Sequence, residues 1–272
     1  MKLKEIPASL WHSVRLSLKS SQGLLEESKP AVPVVVSMTV IPSRLPKLAL
    51  VLRSLLDQSV RPERILVWLH QDMESQIPNG VQRLCGSLIQ LHFTPLKCSH
   101  KKLIHTLEAH PDRVVVTCDD DFLYHRNWLE VLCADHKRYP KHVIAQHLRS
   151  IQRNEDGRLK PYKQWIYRPE LNQNSDSFLA IGGKGVLYPV GALNLQFNNS
   201  DLFLSLAPKA DDLWFKAMEL LNNTPVKRCD RLVPEPIPIM GTQTFSLKKE
   251  NVDQDLNGIQ WQQLSDHFNL EV

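Results

Sequence analysis

Three consecutive carboxylates, Asp119-Asp120-Asp121, follow directly on the apolar run Arg113-Val114-Val115-Val116-Thr117-Cys118. Adjacent carboxylates repel one another, so concentrating them is costly unless a cation or a hydrogen-bond network offsets the charge. Hard oxygen ligands suit Mg or Mn, which are commonly held by one or two carboxylates and completed by substrate phosphates. The competing reading is a solvated acidic turn that opens the helix near Asn127. The β-branched run before the triplet and the continuation Phe122-Leu123-Tyr124 through Trp128-Leu129 after it favour a metal site.

A second acidic pair, Asp211-Asp212, stands at the head of a helical pattern in which Leu213, Trp214, Ala217, Met218 and Leu221 recur on one face. The helix N-terminus favours carboxylates whatever their role. A carboxylate projecting from that end into a cleft is also placed to take a proton from a hydroxyl, and Asp212 is read as that base with Asp211 as its neighbour. The glycine cluster Gly182-Gly183-Lys184-Gly185 permits positive φ and close approach to a ligand. It lacks the phosphate-loop spacing, and Asp176 to Ile181 does not read as a buried strand, so it is either a loop flooring a substrate site or a plain tight turn. His125 and His267 are candidate metal ligands by type, with an exposed or core role the better account of both. Trp128, Trp165, Trp214 and Trp261 read as core or interface residues, with Trp165 in a polar stretch where a pyranose could lie on it.

These residues need a sheet to gather them. Val32 to Met38 and Arg64 to His70 read as buried strands around a helix from Leu45 to Gln58, and Leu88 to Phe93 and Arg113 to Cys118 repeat the pattern around a helix from Lys101 to Ala109. Strand, helix, strand implies parallel crossovers and a doubly wound α/β sheet, whose ligands bind at the carboxyl edge of the strands. Residues 31–272 are expected to form one domain, with halves at about 31–125 and 126–230 and a tail at 231–272. The polar stretch from Leu148 to Ser177 is expected to line one side of a cleft. Residues 1–30 form a separate amphipathic extension, in which Leu3, Ile6, Leu10, Trp11, Val14 and Leu18 recur at near-helical spacing among Lys2, Lys4, Arg15 and Lys19. The basic residues are few for lipid binding, so the preferred reading is a helix packed on the domain's back or on a second subunit, against a membrane surface.

Composition excludes the disordered, fibrous and bulk nucleic-acid-binding classes: 42% hydrophobic residues, 23% charged and a net charge of +4 without a basic block. Five cysteines without a CxxC pair argue against a disulfide framework and for a reducing, cytoplasmic location. No stretch approaches the ~18 apolar residues of a membrane span.

In order along the chain, several segments resemble the GT-A-type glycosyltransferases of bacterial surface polysaccharide synthesis, family 2-like. Ser37 to Leu45 is similar to their opening strand and nucleotide loop, and Leu55-Leu56-Asp57-Gln58-Ser59 with Pro62 to the helix end that follows. Lys101-Lys102-Leu103 resembles their lysine-bearing helix start, and Val116 to Tyr124 their DxD strand. Gly182 to Pro189 and Ala210 to Trp214 resemble their acceptor-side motifs. The resemblance runs from about Val32 to Asn222. It departs where many members carry an Asp-Asp pair that holds the base, since His70-Gln71-Asp72 stands there instead.

The resemblance implies a GT-A-like domain that moves a sugar from a nucleotide diphosphate sugar to a hydroxyl of a glycan or lipid-linked acceptor, in capsule, lipopolysaccharide or exopolysaccharide synthesis. Thr39, Arg44 and Lys102 would line the nucleotide pocket, with the two cations facing diphosphate oxygens. Asp72 would contact the base, and Asp119 and Asp120 the ribose or the metal. Asp121 and Asp119 would hold Mn or Mg, and Asp212 with Asp211 would act on the acceptor in an inverting displacement. The resemblance does not extend to residues 1–30, whose amphipathic pattern leaves open a peripheral membrane contact at the inner face or a homo-oligomer. Two other readings stay open: a nucleotidyltransferase making nucleotide sugars, disfavoured because Ser37-Met38-Thr39-Val40-Ile41-Pro42 has no glycine, and a non-catalytic binding subunit.

Overall fold

A computed structural model describes residues 3–26, 28–170, 175–242 and 249–272. After α1 (Ile6–Leu18) and α2 (Ser21–Glu26) the chain enters the sheet with β1 (Ala31–Thr39). The expected helix from Leu45 to Gln58 is shorter and two-part: a 3-10 segment, Pro42–Lys47, precedes α3 (Leu48–Leu56). Pro46 cannot donate the N–H that an α-helix running through it would need, so the α-helix begins only after it. Then come β2 (Arg61–His70), α4 (Asn79–Gln82), β3 (Ile89–Thr94), α5 (Lys101–Ala109) and β4 (Val114–Cys118), close to the ranges read from periodicity. The second half contains β5 (Phe122–Leu123), α6 (Trp128–Arg138), β6 (Val143–Ala145), β7 (Leu148–Ser150), β8 (Ile166–Tyr167), β9 (Phe178–Ala180) and β10 (Val186–Tyr188). It closes with α7 (Ser200–Leu206), α8 (Asp211–Leu221), β11 (Val226–Arg228), β12 (Ile237–Pro238) and α9 (Leu256–Phe268).

Seven strands form the central sheet in the order β11-β6-β10-β4-β1-β2-β3. All run parallel except β10, which is antiparallel to both its neighbours, β4 and β6. Helices cover both faces. Val116 and Cys118 point into one core with Val36, Met38, Leu52 and Leu129. Val115, one residue out of phase, points into the other with Leu103, Trp214, Met218 and Trp261. That alternation explains why β4 reads as an unbroken apolar run: it is buried on both faces. The result is an α/β architecture of the Rossmann-like kind.

Three expectations change. The polar stretch 148–177 is more than a cleft lining: β7 is the middle strand of a small antiparallel sheet, β8-β7-β9, while residues 171–174 lie outside the described residues. Its last strand, Phe178–Ala180, is buried along its length, contrary to the reading of Asp176 to Ile181; three residues are too few to set up a period. Finally, α1 does pack on the domain, against α3, but most of the apolar positions of residues 3–18 face outward. α1 packs through Ser9 and Leu16, whereas Leu3, Leu10, Trp11, Val14 and Leu18 are all exposed; Met1 and Lys2 lie outside the described residues.

Candidate active site

The parallel strands deliver their following loops to one sheet edge. Register pairs Met38 with Cys118 and Thr39 with Trp68, so the segment after Thr39, the turn after His70 and the triplet after Cys118 emerge side by side. The antiparallel β10 runs the other way, with Val186 opposite Thr117, and its preceding loop, Gly182 to Gly185, therefore reaches the same edge.

The triplet splits between two cations. Asp120 receives Arg44 Nη1 at 2.6 Å and the Ile41 N–H at 3.0 Å, and Asp121 lies 2.9 Å from Arg44 Nη2. Asp119 turns away from them and lies 2.9 Å from Lys102 Nζ. Lys102 is also 3.0 Å from Asp211 Oδ2, so one buried ammonium joins the carboxylates of β4 and α8. Its helix turn is anchored on β1: Ser37 Oγ donates to the Lys102 carbonyl at 2.5 Å, and Thr106 Oγ1 does so at 2.8 Å. The two cations assigned to diphosphate oxygens thus hold carboxylates of the protein itself.

Between the two acidic groups runs the glycine turn. Gly182 N–H donates to Asp212 Oδ2 at 3.0 Å, and a Cβ at Gly182 would stand 2.4 Å from Asp212 Oδ1. A Cβ at Gly183 would stand 2.8 Å from Asp119 Oδ2. Tyr124 fixes the turn: its hydroxyl accepts the Asp119 N–H at 2.8 Å and donates to the Gly183 carbonyl at 3.2 Å. Trp128 Nε1 donates to the Lys184 carbonyl at 3.0 Å, and Gly185, at φ +100°, leaves room for the indole.

The local electrostatics separate the α8 pair. Burial pushes the Asp212 carboxyl up, the neighbouring Asp211 charge adds to this, and together they outweigh Lys102 and the Gly182 hydrogen bond, bringing it to about 7. Burial also opposes ionisation of Asp211, but Lys102 and His100 outweigh it and hold Asp211 below the ordinary carboxylate range. Two adjacent carboxyls pushed apart in this way define an ionised partner and a group poised to exchange a proton near neutral pH. Asp120 is raised, burial outweighing Arg44. Behind them His100, stacked on Phe203 with ring centroids 4.6 Å apart, is driven by burial to about 4, so it is neutral near pH 7 and carries charge only in the acid range where Asp211 titrates.

Of the remaining sequence candidates, Thr39 is half-buried and donates its hydroxyl to the Trp68 carbonyl at 3.0 Å. Asp72 shares the sheet edge but is exposed, 3.0 Å from His70 Nδ1. Trp165 is 2% exposed and packs against Tyr162 and Trp261, which removes it as a sugar platform. His267 is exposed, and His125 sits toward His12 and Arg231. His147, Tyr167, Arg168 and Glu235, which gather near Lys184 of the glycine turn, were not singled out in the sequence. Tyr167 Oη lies 3.0 Å and Arg168 Nε 3.2 Å from His147 Nδ1, and Glu235 bridges Arg168 Nη2 at 2.5 Å and Lys184 Nζ at 3.4 Å. They come from four separate stretches of chain, and no local pattern joins them.

For a divalent ion the donor set is partial. Among the described residues no three His, Cys, Asp or Glu side chains converge with metal spacing. Asp119 keeps about a third of its side chain open (33%), whereas Asp120 and Asp121 are buried against Arg44. Of the three, only Asp119 therefore offers an open carboxylate to an ion, which phosphate oxygens would have to complete.

Neither the protein-family models nor the curated proteins compared with this chain include a match to it.

Proposed function

We propose that this chain is a metal-dependent glycosyltransferase of GT-A type, which transfers a sugar from a nucleotide diphosphate sugar to a hydroxyl of a glycan or lipid-linked acceptor. One observation carries the reading: the Gly182-Gly183 turn touches Asp119 on one side and Asp212 on the other, so the two acidic centres flank a single stretch of side-chain-free backbone at the carboxyl edge of the sheet. Open α/β sheets bind ligands at that edge.

In this reading Asp119 and Asp121 would hold a Mg or Mn ion, which would supply positive charge against the leaving diphosphate. Lys102 and Arg44, already beside the triplet, lie where they can turn from carboxylate to phosphate oxygens. Asp212 accepts the proton of the incoming hydroxyl. Its carboxyl, raised to about 7, is a stronger base than an ordinary aspartate, and the Gly182 N–H fixes it through Oδ2. Asp211, kept ionised by Lys102, repels a second negative charge and so maintains the raised value of its neighbour. Thr39 and Asp72 flank the nucleotide on the β1 and β2 side. Attack from the Asp212 face opposite the departing diphosphate inverts the anomeric centre.

Incubation of the protein with a panel of nucleotide sugars and Mn, scored by release of nucleoside diphosphate, tests the proposal. Release of pyrophosphate from a sugar phosphate and a nucleoside triphosphate would identify a nucleotidyltransferase instead. Nucleotide-sugar binding without either release would identify a binding subunit.

A further inference from the structure

The outward face of α1 and the turn before it is an apolar stripe. Leu3 is 86% exposed, Leu10 52%, Trp11 66%, Val14 46% and Leu18 82%. With Lys4, Pro7 and Ser17 these residues complete the exposed set, in steps of three and four that keep them on one side of the helix. An aligned group of five large apolar side chains differs from the scattered exposed ones that any surface has. The opposite side is committed: Leu16 is buried, Ser9 Oγ accepts the Met240 N–H at 3.0 Å, and Arg53 Nε donates to the Leu16 carbonyl at 3.1 Å. The helix is therefore held in place with its apolar side outward.

The charge on the stripe itself has one sign. No carboxylate lies among its exposed residues, and Lys4 lies on it. Along the flank, Arg15 and Lys19 share the single buried carboxylate of Asp57, which leaves the group net positive, with 37% and 35% of the two side chains still exposed. On another side His12 lies within electrostatic reach of His125, and His125 of Arg231.

We propose that this face docks on an anionic lipid surface, with Leu3, Leu10, Trp11, Val14 and Leu18 entering the headgroup boundary and Lys4, Arg15 and Lys19 meeting lipid phosphates. An apolar stripe with an indole, bordered by cations, is the composition that interfacial helices use. A second copy of the chain fits less well. At 1.5 Å per residue the stripe is roughly 20 Å long and one helix wide, about 200 Å², well below the ~800 Å² per partner of a stable interface. A two-fold contact would also set Lys4 and Lys19 against the same cations of the other copy. If the function proposed above holds, docking has a second consequence. Met240 leads to Thr242, whose carbonyl accepts Arg44 Nε at 3.2 Å, so the membrane would lie beside the triplet and within reach of a lipid-linked acceptor.

The test uses the whole protein and flotation with vesicles of phosphatidylcholine alone or mixed with phosphatidylglycerol, with no nucleotide sugar present. Wild-type protein is expected to float with the phosphatidylglycerol vesicles and to be released as salt rises. The variant Leu10→Ser/Trp11→Ser/Leu18→Ser, altered only at exposed positions, should keep its Tm and lose at least about tenfold in partition. Lys4→Glu should lose about fivefold on the anionic vesicles. Absence of wild-type flotation, or equal flotation of the triple variant, overturns the proposal. So does a wild-type dimer in sedimentation that the triple variant dissociates without any vesicle binding. Sugar transfer is not read in this experiment, so it can fail or succeed independently of the assigned activity.

Discussion

Gly182 and Asp212 are in contact: the glycine N–H donates to Oδ2 at 3.0 Å, and Oδ1 occupies space that a β-carbon on the glycine would need, 2.4 Å away. The carboxylate at the head of α8 and the loop before β10 therefore fit together only without a side chain at position 182.

Gly182→Ala is accordingly expected to displace the Asp212 carboxylate while leaving the cores untouched. Sugar transfer should fall by about 10²-fold or more, since a misplacement of ~1 Å is enough for that. Nucleoside diphosphate affinity, measured by calorimetry, should stay within a few-fold of wild type. Loss of both together would mean that the turn serves nucleotide binding instead.

Asp212→Asn keeps the side-chain size and an oxygen for the Gly182 N–H, so folding should persist while transfer drops by about 10² to 10⁴. In wild type kcat/KM should rise with pH through about 7 as this carboxyl ionises, and that limb should vanish from the residual activity of the variant. A variant with near wild-type turnover removes Asp212 from the mechanism.

The same carboxyl affects stability with a definite sign. Its folded value is raised from 3.8 to about 7, so its contribution is fully present below about 3.8 and is lost as pH rises toward 7. Asp211, with a lowered folded value, acts oppositely and only below about 3.8. Between pH 4 and 7 the Tm of wild type should therefore fall relative to that of Asp212→Asn. Parallel curves would show that the carboxyl is not protonated in the folded state.

Lys102→Met leaves Asp119 and Asp211 facing each other without their shared cation. Removing one partner of a buried ion pair costs about 3–5 kcal/mol, because the other charge stays buried and uncompensated. Urea unfolding should show a loss of that order at neutral pH, smaller in an Asp211→Asn background. An unchanged midpoint would mean that Lys102 is not buried between the two.

Donor binding should need a divalent ion, because Asp119 to Asp121 would otherwise repel the diphosphate. Calorimetric titration of nucleoside diphosphate with Mn and with EDTA measures this. Equal affinity in both, or undiminished Mn dependence in Asp121→Ala, would exclude the triplet as the ion's holder.

The parallel half of the sheet was legible in the chain because strands buried on both faces leave unbroken apolar runs and their helices leave a 3.6-residue period, as at Val114–Cys118 and Lys101–Ala109. The triplet's position followed as well, since a loop after a parallel strand can emerge only at its carboxyl end. Three-residue strands such as Phe178–Ala180 carry no readable period. The direction of β10 is not written locally either, yet it alone brings Gly182 and Gly183 to the edge where the triplet stands. The side to which α1 turns its apolar stripe was likewise undetermined, because periodicity records that such a face exists and not what covers it. That Lys102 and Arg44 meet carboxylates in the folded chain, and that Asp211 and Asp212 diverge in charge, depends on distances between residues far apart in sequence. Coulomb interactions and desolvation act through space, and only the packed arrangement sets those separations.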